Sequence, residues 1–365
     1  MKCKLSDVCV FRKGKVHVSN LTAKTYISTE NMMTNKGGIT EAASLPTMGL
    51  TQEYKKGDIL VSNIRPYFKK IWQAKYDGGC SNDVLVFEGN ANIDKDFLYY
   101  ILADDTFFAY SMATSKGTKM PRGDKTSIMQ YEVPAFDMNT QKRIAAVLKS
   151  LDEKIELNQA INDNLEQQAS ALFKSYFVDF EPTYGVVPDS WQEYRLGDFL
   201  PVITGKKNAN ISSATGKYPF FSCSQDIAWT NEHSFDGSAI LVAGNGDFNV
   251  KFYDGKFEAY QRTYVLIPNN ARYTAWLYYA VKYNLNKITM AARGSVIKFI
   301  TKGNLEDFTF YAPCNLNGEP IIDHFTVINK TIAANRSENI RLSELRDTLL
   351  PKLMSGKLDV SAVEL

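Results

Sequence analysis

The sequence predicts an α+β fold. Two mixed α/β heads are joined by two long helices that pair as an antiparallel coiled coil, in a pseudo-two-fold internal repeat. Three observations predict it. The first is self-similarity at long range: Ile155 is echoed by Ile332 (332 − 155 = 177), and the same step carries Asn162 to Asn339, Leu165 to Leu342, Leu172 to Leu349 and Gly117-Thr118 to Gly294-Ser295. A step this long is not a solenoid period; it duplicates a whole module. The second is a pair of long heptad patterns. The third is short strand signals in the stretches between them.

The first head covers residues 1–138. Lys4-Leu-Ser-Asp-Val8 opens it and is answered by Arg195-Leu-Gly-Asp-Phe199 in the second head. Gly57-Asp-Ile-Leu-Val-Ser62 parallels Gly237-Ser-Ala-Ile-Leu-Val242, and Asp83-Val-Leu-Val-Phe87 parallels Arg262-Thr-Tyr-Val-Leu-Ile267, all with the apolar density of buried strands. A short helix follows in each head, at 97–102 and 275–281. A basic, glycine-bearing stretch comes next: residues 115–125 in the first head and 292–298 in the second.

The central repeat helix covers residues 139–182. One seam holds Ile144, Leu151, Asn158, Leu165 and Leu172; the other holds Leu148, Ile155, Asn162, Ala169 and Tyr176. Alternating steps of four and three keep one stripe facing a partner helix. Asn139 or Thr140 is the expected cap, and Pro182 lies just past the expected end. Some 38 residues give a rod of roughly 57 Å. The second head covers 183–318, and the C-terminal repeat helix 319–365. Its seams hold Ile321, Ile328, Asn335, Leu342 and Leu349, then Phe325, Ile332, Asn339, Arg346 and Leu353. Pro320 suits a first turn and Gly356 a stop, while Pro351 is expected to kink or end the helix near Leu350. Asn158, Asn162, Asn335 and Asn339 place amides at mid-seam, where they are expected to fix register.

Net charge is +2, so affinity for nucleic acid has to come from local clustering. Five scattered cysteines suggest neither a disulfide framework nor a zinc site, and the expected compartment is the cytoplasm. No apolar run reaches membrane-spanning length, and Met1-Lys-Cys-Lys-Leu-Ser-Asp lacks the apolar core of a signal peptide. No phosphate-binding glycine loop and no methyltransferase-like Asn-Pro-Pro-Tyr occurs, so no catalytic residue is assigned. Ala243-Gly-Asn-Gly246 is expected to be a tight turn. Glu53-Tyr-Lys55 lacks the acidic partner of a nuclease site, and His17, His233 and His324 lie in three separate segments, so no metal is expected.

Gln141-Lys-Arg-Ile-Ala-Ala-Val-Leu148, residues 165–182 (LEQQASALFKSYFVDFEP) and residues 345–360 (LRDTLLPKLMSGKLDV) resemble the specificity subunit of Type I restriction–modification enzymes. The likeness covers the whole chain; Asn317-Gly-Glu-Pro departs from it by lacking the Gln-Lys-Arg-Ile run before the second helix. It implies that the heads are target recognition domains and that the subunit is not itself an enzyme. It also implies an asymmetric bipartite site on double-stranded DNA, with the unread spacer set by the paired helices. Two modification subunits that methylate adenine are the implied partners, and restriction subunits can join. S-adenosylmethionine, Mg and ATP would be held by those partners, leaving none on this chain.

Lysine and arginine hold phosphates, and Arg, Asn or Gln read base edges. The candidates in the first head are Arg65, Lys69, Lys70, Lys116, Thr118, Lys119, Arg122 and Lys125. In the second they are Lys206, Lys207, Asn208, Asn210, Asn245, Asn249, Lys251, Arg293, Ser295 and Lys298. The alternative is a coiled-coil scaffold that binds no DNA. Protection of random DNA by a complex with a modification subunit separates the two.

Overall fold

The computed structural model describes residues 2–47, 49–213, 215–290, 292–294 and 296–363. Contacts divide the chain into two compact units: residues 1–157 with 338–365, and residues 158–337. Each unit therefore contains one head and a stretch of both long helices.

In the first unit the head is built on an antiparallel sheet in the order Cys9–Phe11, Val84–Gly89, Ile59–Ser62, Ile71–Gln73. A second sheet runs Lys15–His17, Leu50–Tyr54, Gly78–Cys80, Tyr26–Ile27, its last pair parallel. Helix Lys95–Ala103 covers the first sheet and buries Phe97, Leu98, Ile101 and Leu102. The core is completed by the long helices: Ile144, Ala145 and Leu148 from one, and Leu350 and Leu353 from the other, with Val360 beyond its end. Segments 138–157 and 338–354 meet here, and the Asn339 amide donates to the Ile155 carbonyl at 3.4 Å.

The second unit repeats the plan. Its six-stranded sheet runs Val202–Thr204, Thr263–Leu266, Phe235–Ala243, Val250–Ala259, Tyr218–Phe221, Ala228–Thr230. The first four strands match the first head's order. Val250–Ala259 stands where Ile71–Gln73 and Gly78–Cys80 stand in two pieces: it pairs in parallel with Tyr218–Phe221 as Gly78–Cys80 does with Tyr26–Ile27. Helix Thr274–Tyr283 is buried along nearly its whole length, with Trp276 fully buried among aromatic rings. Ala169, Phe173 and Phe177 of the central helix and Ile322 and Phe325 of the C-terminal helix share this core. Arg272 ties the head to the helix start through paired bonds to Asp323 and bonds to the carbonyls of Leu316, Asn317 and Glu319.

The long helices span Met138–Phe177 and Pro320–Met354. Four details depart from expectation. The central helix is capped by Asp137, whose carboxylate accepts from the backbone N–H of Asn139 and Thr140, so Asn139 and Thr140 are inside the first turn. The C-terminal helix does not end at Leu350 but runs through Pro351 to Met354, with Gly356 at φ 70° closing it. Pro351 deletes only the bond to Asp347, one turn from an end where such bonds run out anyway. Late in the central helix the buried positions are Phe173 and Phe177, with Leu172 and Tyr176 only half buried. A straight helix drifts about 20° per heptad, so a 3.5-residue seam rotates off the packed face. Finally, sheet register equates Ile59 with Ile240, one residue away from the pairing of Gly57 with Gly237. In a strand, one residue decides which face a side chain occupies.

Candidate nucleic-acid interface

The register correction brings out a shared structure. Strand Ile59–Ser62 runs out into Asn63-Ile64-Arg65, and strand Phe235–Ala243 into Gly244-Asn245-Gly246. In each head a short loop is hung on this strand end. In the first, Lys116 and Arg122 exchange backbone hydrogen bonds of 2.9 and 3.0 Å, and the Arg65 and Gly123 amides donate to Pro121 and Asn63. In the second, Arg293 and Phe299 exchange bonds of 2.9 and 2.8 Å, and the Gly246 and Ile300 amides donate to Lys298 and Gly244. Gly117 and Gly294 make the turn at φ 90° and 104°. A Cβ on Gly294 would stand 2.2 Å from the Ile297 carbonyl oxygen, so glycine is required there. The basic stretches are thus one structural element used twice.

Their side chains differ. In the first head Thr118 and Lys119 stand exposed at the loop tip. Lys116 pairs with Asp124 at 2.6 Å and Arg122 with Asp83 at 3.1 Å. The Lys116 ammonium, with the Ser127 amide, holds the Asp124 carboxyl down at about 2. Lys125 lies over the Phe11 ring. Lys69 shares Asp105 with Lys36, and Lys70 donates to the Thr29 carbonyl at 2.6 Å, its burial lowering the ammonium pKa. Those two lysines are engaged within the head. Arg65 sits at the strand end against the loop.

In the second head Arg293 and Lys298 are exposed on the loop, and Asn245 is bridged to Phe299 beneath it. Ser295 lies outside the described residues. Lys206, Asn208 and Asn210 are exposed on a separate segment around the turn Ala209–Ile211. Lys207, on the same segment, is paired with Glu232. Asn249 is buried and Lys251 half-buried. Asn249 is 8% exposed and its amide donates to the carbonyls of Cys223 and Asp247. Lys251 donates to Ser224 and Asn249, and burial pushes its ammonium pKa down. Both bond within the turn after the strand. Charge does not mark the apolar tip of this loop, where Val296 is 94% and Ile297 55% exposed; the repeat step matches Ile297 to Met120, itself 47% exposed, in the first head. A solvent-exposed apolar pair on a fixed loop was legible only once the loop was known to be shared.

The four seam asparagines are placed by both units. Asn158 and Asn162 are buried, and Asn335 donates to Asn162 at 2.8 Å within the second unit. Asn329, one turn before Ile332, is a further buried amide, and it receives the Tyr279 hydroxyl.

The model of the Type I restriction modification DNA specificity domain matches this chain twice, over residues 1–167 and 188–344. The chain belongs to that family. The two matches follow the internal repeat, one per head with its following helix. A 173-residue stretch is 38% identical to the Type I restriction enzyme EcoDI specificity subunit of Escherichia coli, covering 47% of this chain and 34% of that subunit. The chain thus spans about a third of that relative's length. The Type I restriction enzyme MjaIX specificity subunit of Methanocaldococcus jannaschii is 25% identical over 353 residues, 84% of this chain and 79% of the relative. The crystal structure of the Type I restriction-modification system S subunit from M. genitalium superposes with a TM-score of 0.60 over 97% of this chain and 96% of that one, at 18% identity. That likeness fixes the shared architecture of two mixed heads and two long helices. Among the described residues no helix is long and apolar enough to cross a membrane.

Proposed function

We propose that this chain is the sequence-specific DNA-recognition subunit of a Type I restriction–modification complex. Each head binds one half of an asymmetric bipartite site on double-stranded DNA. The paired helices set the unread spacer between the halves. The helices also recruit two modification subunits, which carry S-adenosylmethionine and methylate adenine; restriction subunits, with Mg and ATP, join the same core. The chain performs no chemistry itself, and the complex works in the cytoplasm. Residues 1–138 and 183–318 are the target recognition domains, and 139–182 and 319–365 the spacer helices.

The observation that carries this reading is the loop hung on a strand end in both heads, identical in backbone bonding and different in side chains. A common frame with unlike faces is what recognition of two unlike half-sites requires. Exposed Lys119 and Lys206 suit phosphates, and the loop tips suit base edges.

The test is co-expression with a modification subunit followed by methylation mapping. The expected outcome is a bipartite methylated word. Replacing residues 1–138 by another head should change one half of that word only. Inserting seven residues after Asn162 and seven after Asn339 should lengthen the spacer while leaving both halves intact. A complex that protects no DNA would instead mark a scaffold.

A further inference from the structure

The strand end of the first head differs from its counterpart in three features. Arg65 holds φ 51° and ψ 66°, in the left-handed region. The equivalent residue of the second head is Gly246, at φ 73° with open space where a Cβ would be. Glycine takes this conformation without steric conflict; arginine takes it at a cost. The second feature is an unmet bond: Arg65 Nε is shielded from solvent with no hydrogen-bond partner among the described residues. Two residues back, Asn63 Oδ1 is likewise buried and unpartnered, where the second head has Gly244.

The third feature is the setting. Asn35, Lys36 and Lys69 are also left-handed, at φ 53°, 62° and 50°. They close on one another through bonds from the Asn35 and Lys36 amides to the carbonyls of Phe68 and Lys69. Polar and basic residues strained in one corner, and locked there by backbone bonds, are the pattern of a site built for geometry over stability. The cations around Arg65 are engaged: Lys36 and Lys69 on Asp105, Lys70 on a carbonyl. No side-chain hydrogen bond or ion pair within the described residues engages the Arg65 guanidinium.

We propose that Arg65 is a specificity-determining residue of the first head, placing its planar fork on the O6 and N7 of a guanine in the major groove. The second head makes no equivalent contact, because Gly246 stands there. The proposal rests on the DNA-recognition reading above. A fixed backbone and a guanidinium with no protein partner suit a bidentate acceptor pair in one orientation. A phosphate contact would need neither, since any flexible lysine serves.

The experiment compares wild type, Arg65→Gly and Arg65→Lys, each complexed with modification subunits, for binding to a duplex library of random sequence. Arg65→Gly installs the second head's residue and should fold with unchanged or higher thermal stability. Both variants should lose preference at one G·C position, by about 10- to 100-fold, in one half-site only. The other half-site and the spacer should be unchanged. Rescue by Arg65→Lys, or a loss spread evenly over all sequences, would make Arg65 a phosphate contact and overturn the proposal. So would retention of every base preference in Arg65→Gly while the wild type is specific. A wild-type complex without any sequence preference would overturn the recognition reading itself, and this proposal with it.

Discussion

The two units solve one packing problem in two ways. In the first, the Tyr100 hydroxyl donates to Asp152 at 2.8 Å, and Asp152 is held by Arg346 at 2.7 Å. In the second, Tyr279 donates to Asn329 at 3.1 Å. The repeat step equates these positions: 329 − 177 = 152, and 346 − 177 = 169, where Ala169 lies fully buried. The carboxylate and guanidinium positions of one unit hold an amide and a buried alanine in the other, where Glu166, paired with Lys282 at 2.7 Å, supplies the carboxylate beside the tyrosine instead. The long helices exchange roles between units, so each pair is built from opposite helices. What this teaches is that each unit matches the two positions to one another. A charge left alone between helix and head costs far more than either matched combination. Burial, and then the charge of Asp152 or Glu166, lifts both tyrosine hydroxyls well above the ordinary range, so they stay protonated donors.

The largest effect should come from Asn329→Asp, which writes the first unit's carboxylate into the second without its guanidinium. Asn329 is 5% exposed, so burial raises the new acid, and the neighbouring Glu166 is already paired with Lys282 at 2.7 Å, which leaves that cation engaged. A loss of ~2–4 kcal/mol is expected at neutral pH. With the folded pKa above the unfolded one, the penalty is full above the folded value and disappears as pH falls below the unfolded value. Urea melts at neutral and acid pH measure it, and equal losses at both would break the comparison.

Arg346→Ala comes next. It strands half-buried Asp152 and should cost ~1–3 kcal/mol. Adding Asp152→Asn, which gives the first unit the second's solution, should return most of that loss. A double-mutant cycle with no coupling between the two would show that they are independent. The smallest effect concerns the seam amides. Asn162→Leu with Asn335→Leu removes a matched polar pair and should raise the melting temperature by a few degrees, with about 1 kcal/mol gained. Helix register should then loosen, read by disulfide cross-linking between engineered cysteines. A single unchanged register would remove the pinning role.

Much of the architecture was readable in the chain because it is written in periods. Heptads located both helices, and the 177-residue step located both basic loops. The strand ends beneath those loops were hidden. Asn63-Ile-Arg65 and Gly244-Asn-Gly246 share no residue at a matched position. Their offset is also 240 − 59 = 181, not 177, because the first head is four residues longer between strand and loop. Only hydrogen-bond register reveals the match. Asp137 does not stand out in the sequence because Asn139 and Thr140 are equally good capping types, and side-chain chemistry alone does not choose among three caps within four residues. Residue type carries no information about burial, so the buried Asn249 reads in the sequence like any surface amide.

Leu350, Leu353 and Val360 lie in the core of the first head, whereas the second unit is continuous from residue 158 to 337. A ribosome therefore delivers every part of the second unit before it delivers the last part of the first. The head made earliest waits longest, with an apolar gap until the final helix arrives. Trimming the last residues of the chain should wound the domain at its beginning.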